Sequence, residues 1–192
     1  MKKVDELKHS ILWRGIALPG HEACQLSWRD SKWYLEGTSV FSYAQTPCNL
    51  SYHIICDSAW RTLKVNVEGW LGNNKIYKRI STDPDQHWRL NEAEVPEVRG
   101  CVDVDLNFSP STNLLPIRRL NLPVGESADI IAAWLKFPGF TLEPLKQRYT
   151  RLGKQLYRYE SGNGQFVAEL QIDREGFVID YPGIWKAETA LE

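Results

Sequence analysis

No stretch of the chain approaches the roughly 20 consecutive apolar residues that a bilayer span requires, so no membrane-crossing helix is expected. Excess charge of one sign is also missing: 23 basic residues meet 24 acidic ones, a formal net charge of −1. A protein that neutralises many phosphates normally carries a basic surplus, and nucleic acid is therefore not an expected partner. Cysteine is sparse. Cys24, Cys48, Cys56 and Cys101 lack the spacing of a disulfide framework, and reduced thiols fit a cytoplasmic chain. Met1–Ser10 begins with two lysines, but Asp5, Glu6 and Lys8 interrupt the apolar stretch that a secretory signal needs. In such a chain the Asn-x-Ser sequons at Asn49 and Asn107 carry no meaning. There is no phosphate loop, no Gly-x-Ser-x-Gly elbow and no dinucleotide fingerprint, so no cofactor is expected.

What is present is a globular composition, 43% hydrophobic and 24% charged over 192 residues, enough chain to bury a core without staples. Eight Trp, eight Tyr and six Phe suit the half-buried face of a pleated sheet. Short alternating or β-branched segments recur between turn residues, and they predict strands in two sets. The first is Ile11–Ile16, Ala23–Trp28, Lys32–Glu36, Ser51–Cys56, Thr62–Glu68, Lys75–Ile80 and Gln86–Leu90. The second is Cys101–Phe108, Ile117–Leu122, Phe140–Leu142, Gln147–Leu152, Gln155–Ser161, Gln165–Asp173 and Val178–Tyr181. Between them Ser127–Phe137 shows i,i+4 apolar pairs, Ile130/Trp134 and Ile131/Leu135, with Ser127 as a cap and Pro138-Gly139 as a stop. That pattern predicts one short α-helix near 127–137.

The two sets share an order. Leu50–Asp57, a turn and Thr62–Trp70 match Phe166–Asp173, a turn and Phe177–Trp185, each reading strand, Asp, tight turn, strand, Gly, Trp. An internal duplication follows as the expectation, with halves at about 11–90 and 100–186 inside a single domain over 1–192. The expected fold is all-β, a two-lobed spiral β-roll or barrel-like sheet.

Further residues carry a resemblance. Gly100–Ser109 (GCVDVDLNFS), Thr112–Leu120 (TNLLPIRRL), Ala132–Pro138 (AAWLKFP), Gln147-Arg-Tyr149, Tyr157-Arg-Tyr159 and Asp180–Trp185 (DYPGIW), with the Trp13-Arg-Gly15 opening, resemble the family of bacterial proteins catalogued as "putative glycolipid-binding". The likeness covers nearly the whole chain. It implies a spiral β-roll of many short strands and a ligand of glycolipid type, and it brings no catalytic residues.

The residues themselves suggest where a ligand would sit. Strict alternation in Cys101–Phe108 places Cys101, Asp103, Asp105 and Asn107 on one face. That row is either a solvated face or a cleft wall whose carboxylates and amide meet sugar hydroxyls. Read as a strand, Ile117–Leu122 puts Arg118 on a face with Leu120 and Leu122, where its charge needs Asp103 or Asp105 as partner. The expected polar contacts are Asp103, Asp105, Asn107 and Arg118 or Arg119. The expected apolar contacts are Trp134, Tyr149, Tyr157, Tyr181 and Trp185. Non-catalytic binding of an amphipathic molecule is the reading these residues favour. A hydrolase using a carboxylate pair among Asp103, Asp105, Glu160 and Asp173, or an interaction module without a cavity, are the alternatives. His21, Cys24, His53 and Cys56 offer zinc-type ligands, but His53 and Cys56 stand at odd separation in one strand and point to opposite faces, so no metal is expected.

Overall fold

The computed structural model describes residues 6–189. The chain first runs as an antiparallel meander: β1 (Glu6–Gly15), β2 (Gly20–Arg29), β3 (Lys32–Tyr43), β4 (Thr46–Cys56), β5 (Thr62–Leu71), β6 (Asn74–Thr82), β7 (Trp88–Leu90) and β8 (Ala93–Glu94). After a long connection carrying β9 (Val104–Leu106) and α1 (Leu114–Leu120), a second meander follows. It consists of β10 (Ser127–Lys136), β11 (Thr141–Gly153), β12 (Leu156–Ser161), β13 (Phe166–Ile172), β14 (Val178–Tyr181) and β15 (Trp185–Thr189). β15 pairs with β1, from Leu12 opposite Thr189 to Gly15 opposite Trp185. The two meanders thereby join into one 15-stranded sheet with β8 at one edge and β9, parallel to β10, at the other. Among the described residues the fold is all-β with one short α-helix.

Local chemistry sets the turns. Asp30-Ser31, Ala44-Gln45 and Asn91-Glu92 each hold two successive residues at positive φ, the mirror-image turn whose twist matches paired strands. Asp57, Asp83 and Asp173 build corners of one kind. The carboxylate accepts the N–H of the residue four positions on, Arg61, His87 or Phe177. The residue three positions on, Trp60, Gln86 or Gly176, takes positive φ. Because Asp83 repeats the corner within the first meander, it is a local device used three times.

Alternation then points one side chain in two inward. In β2 Glu22, Cys24 and Leu26 are buried between exposed His21, Ala23 and Gln25, and in β4 Cys48, Leu50, Tyr52, Ile54 and Cys56 are buried between more accessible neighbours. The connection crosses the interior between the two wings. Thr62 N–H donates to the Val102 carbonyl at 3.2 Å, and Ala133 N–H donates to the Asp103 carbonyl at 2.9 Å. Val104 N–H also reaches Thr62 Oγ1 at 3.1 Å. One short stretch is thus bonded to β5 on one side and β10 on the other, and every residue from Phe108 to Ile117 is buried. The sheet rolls around this segment.

The expected helix at 127–137 is a strand, β10, in continuous register with β11 from Ser127–Thr150 to Lys136–Thr141. Residues i and i+4 share a face in a strand as well as in a helix, so the apolar pairs did not discriminate. The helix is instead α1, at the start of the expected strand Ile117–Leu122. Pro116 sits in its first turn, where no N–H is needed, Arg118 and Arg119 suit its C-terminal end, and Asn121 closes it at φ 41° while donating its N–H to Ile117 O. The expected ion pair changes hands with it. Arg119, not Arg118, meets Asp103: Nε donates to Oδ1 at 3.0 Å and Nη2 donates to Oδ2. A helix turns each successive side chain by about 100°, which separates Arg118 from its neighbour and leaves it over the Trp60 ring at 5.3 Å.

Among the described residues no helix is long and apolar enough to cross a membrane.

Removing Arg119 would strand the Asp103 carboxylate, which is 1% exposed. Arg119→Ala should destabilise the fold by about 2–4 kcal/mol, somewhat below a fully buried pair because Arg119 is partly exposed. Arg118→Ala should cost about 1 kcal/mol or less, the worth of a cation–π contact. Urea unfolding of both variants checks this, and equal losses would contradict the assignment.

Candidate functional site

Two adjoining cavities open on the side of the roll where β9, β10, β12 and β14 meet the 182–185 turn. The larger, about 410 Å³, is lined among others by Asp105, Asn107, Trp134, Tyr159, Tyr181 and Trp185. The smaller, about 240 Å³, is walled by Leu18, Phe41, Tyr43, Phe108 and Phe137. Asn107, Ile184 and Trp185 line both, so the two form one groove with a shared wall. Its ends differ in chemistry. Asp105, Asn113, Ser161 and Gln165 give polar groups to the first end. At the second, Phe137 stands edge-on to Phe41 at 5.5 Å and to Tyr43 at 4.8 Å.

Each polar group is positioned by the sheet. Asp105 lies in β9 opposite Trp134, and its Oδ2 accepts the Gln147 amide N–H at 2.6 Å. Gln147 is itself buried, next to Tyr149, whose hydroxyl accepts an N–H from Asn113 at 2.9 Å. Burial pushes the Asp105 carboxyl up to about 6, against the lowering effect of the Gln147 bond. Asn107 Oδ1 accepts the Phe137 N–H at 3.1 Å, which ties the groove's middle to the β10–β11 connection. Tyr159, itself in the lining, packs against Tyr149 behind it at 5.1 Å and against Tyr181 at 6.3 Å.

Of the residues expected from sequence, the fold brings Asp105, Asn107, Trp134, Tyr181 and Trp185 to this groove. Tyr149 stands one layer behind it. Asp103 and Arg119 lie in the interior, paired with each other, so the polar row of alternate residues is interrupted. Only Val104–Leu106 are held as strand, and upstream of them Asp103 turns into the roll. Arg118 and Tyr157 line a different pocket with Trp60 and Asp173. The candidate carboxylates are likewise dispersed: Glu160 borders an outer cleft over β10–β12, and Asp173 Oδ2 lies 2.8 Å from His9 Nε2. His21 and His53 stand beside Glu188 and Glu36, while Cys24 and Cys56 are buried.

Sequence reasoning missed Glu22, which is 0% exposed. It accepts hydrogen bonds on Oε1 from the Tyr52 hydroxyl at 2.7 Å and from Ser109 Oγ, and Ser109 borders the groove. Its other oxygen, Oε2, and the nearby Ser39 hydroxyl are buried without a well-formed hydrogen bond. Tyr52 reaches Glu22 because its strand partner is Gly37, where a Cβ would stand 2.3 Å from the Tyr52 hydroxyl oxygen. Burial raises Glu22 from its usual value to about 7, the three hydroxyls of Ser109, Tyr52 and Ser39 partly opposing the rise. The signal was present in β2, where alternation puts Glu22 on the face of Cys24 and Leu26.

An all-β roll around a buried connection, with a lateral groove polar at one end and aromatic at the other, defines the class of this protein. The chain belongs to the "Putative glycolipid-binding" family, whose model matches residues 10–187. It is similar to a DUF1089-family protein from Pseudomonas aeruginosa known from a crystal structure, with 30% identity and a TM-score of 0.75 over 86% of this chain and 91% of that one. No curated protein matches the chain.

The Glu22 proton has a thermodynamic consequence. The folded state holds it more tightly than the unfolded chain, so the stability it contributes is complete below about 4.5 and is lost as the pH rises to about 7. The loss is of order 3 kcal/mol. Glu22→Gln should keep the hydrogen bonds and remove this slope, matching the native protein near pH 4.5 and exceeding it at pH 8. Melting curves across that range that fall in parallel for both proteins would refute the assignment.

Proposed function

We propose that this protein binds an amphipathic molecule without transforming it, a glycolipid being the class that its chemistry fits. The observation carrying this reading is the groove's division into a polar end and an aromatic end that share Asn107, Ile184 and Trp185. A hydroxylated headgroup would meet the Asp105 carboxylate, Asn107 and Gln165. Carboxylate and amide oxygens offer the several fixed acceptors that sugar hydroxyls need. The apolar portion would run between Phe41, Tyr43 and Phe137, whose rings provide area at little conformational cost. Trp134, Tyr181 and Trp185 would flank the headgroup. The family description points the same way, and cavities of a few hundred Å³ suit such ligands. The hydrolase reading lacks a comparable anchor, because Asp103, Asp105, Glu160 and Asp173 share no pocket.

The test is a native mass spectrum of gently purified protein, with organic extraction of the same sample. An added mass that extracts as a lipid is expected in the native protein and absent from Ile184→Glu, which places a charge on the shared wall. Asp105→Asn should keep the lipid more weakly, by about tenfold, the worth of one hydrogen bond to a charged group. Affinity should also fall as the pH drops through about 6, where Asp105 takes up a proton, and that fall should vanish in Asp105→Asn. Apo protein that takes up nothing from a lipid panel would leave the sheet as an interaction surface instead.

A further inference from the structure

A second pocket, about 350 Å³, lies at the far end of the buried connection, where α1 ends against the β11–β12 turn and the Asp173 corner. Its walls include Arg118, Arg151, Lys154 and Arg174, with Trp60 and Tyr157 as aromatic faces. This is a local concentration of cations in a chain whose net charge is −1. Many arginines elsewhere stand against carboxylates, Arg14 by Glu188, Arg29 by Glu36, Arg61 by Asp57, Arg148 by Asp129 and Arg158 by Glu160, while Arg79 donates to the Tyr77 hydroxyl instead. In this pocket, among the described residues, neither Arg118, Arg151 nor Lys154 has a carboxylate within ion-pair distance.

Two of these cations are held in place by neutral groups. Arg151 donates to three backbone carbonyls, from Nη1 to Leu122 O at 2.7 Å, from Nε to Gly153 O at 3.2 Å and from Nη2 to Lys154 O at 2.9 Å. Those bonds fix the guanidinium and leave its charge uncompensated. Arg118 lies over the Trp60 ring at 5.3 Å, an attraction that also leaves its N–H donors unused. The single carboxylate in the lining, Asp173, is engaged inward: Oδ1 accepts the Phe177 N–H at 2.9 Å, and Oδ2 faces His9. Preorganised guanidinium groups with spare donors are the chemistry that recognises phosphate oxygens.

We propose that this pocket is an anion site for a phosphate group, with Arg118 and Lys154 as the contacting cations and Arg151 as the fixed charge behind them. It is separate from the groove and does not depend on the ligand proposed there. The phosphate could belong to a soluble phosphate ester or to a lipid headgroup, and the two sources are separable.

The full chain, labelled with nitrogen-15, is titrated with inorganic phosphate at constant ionic strength. Saturable shifts are expected at the Trp60 indole and at the Arg118 and Arg151 side chains, with a dissociation constant in the millimolar range. The double variant Arg118→Gln, Lys154→Gln should weaken binding at least fivefold with a melting temperature lowered by no more than a few degrees, the worth of the Trp60 contact. In a second arm the protein is sedimented with phosphatidylglycerol vesicles, phosphatidylcholine vesicles serving as control. Binding to free phosphate assigns a soluble ester; binding to phosphatidylglycerol alone, lost in the double variant, assigns a lipid headgroup. Ile184→Glu should bind phosphate as the native protein does, so failure of the groove reading would not remove this one. Shifts that stay linear in phosphate together with no vesicle binding, or a double variant that binds as well as the native protein, would overturn the proposal.

Discussion

Val102, Asp103 and Val104 are bonded at once to β5 and to β10, and Asp103 sends its carboxylate inward to Arg119. Without that stretch the two meanders would share strand pairing only where β1 meets β15, and their inward faces would lose the layer between them. The residues that follow, Phe108 to Ile117, fill the space between the wings. A sheet whose one face is apolar must bury it against another layer; here the layer is the chain's own connection. Both pockets border it, the groove along its beginning and the basic pocket at the end of α1.

Three inward carboxyls show how differently one interior treats the same chemistry. Burial raises Asp103 as well, and the bidentate Arg119 guanidinium opposes the rise. Glu22 has only hydroxyls near it, and burial pushes it up to about 7. Asp105, half-buried beside the groove with one amide donor, rises to about 6. Desolvation opposes the charged form in all three, and the donors or charge that each one meets offset only part of it. Asp105 is the carboxyl among these that a ligand in the groove could reach.

Much of the wall was legible. Alternation located most of the strands of the two meanders, and the turn residues at Asp83 and Asp173 marked where the wings bend. The aromatic residues near the groove could be named, because Tyr181 and Trp185 flank a Pro-Gly turn and Trp134 sits in an apolar run. The connection was harder. Leu114–Leu120 reads as apolar with two arginines, and only the paired observations of Pro116 in a first turn and Asn121 at a left-handed position identify a helix. Ser127–Lys136 fits either period, and the choice was made by β11, which offers it a partner along its whole length. With α1 misread as a strand, Arg118 and Arg119 exchanged roles.

By itself the sequence determined the all-β class and most of the strands and turns of the two meanders, since those depend on periods of two and on residues a few positions apart. It also placed the chain by resemblance in its family. Tertiary structure alone decided which arginine meets Asp103, that Glu22 is sealed in, and that Asp105 and Trp185 border the same groove while Tyr157 does not. Those outcomes depend on contacts between residues far apart in the chain, such as Glu22 with Ser109 and Asp105 with Gln147. A sheet that rolls around its own connection brings such residues together through its curvature, and no local pattern in the sequence encodes that curvature.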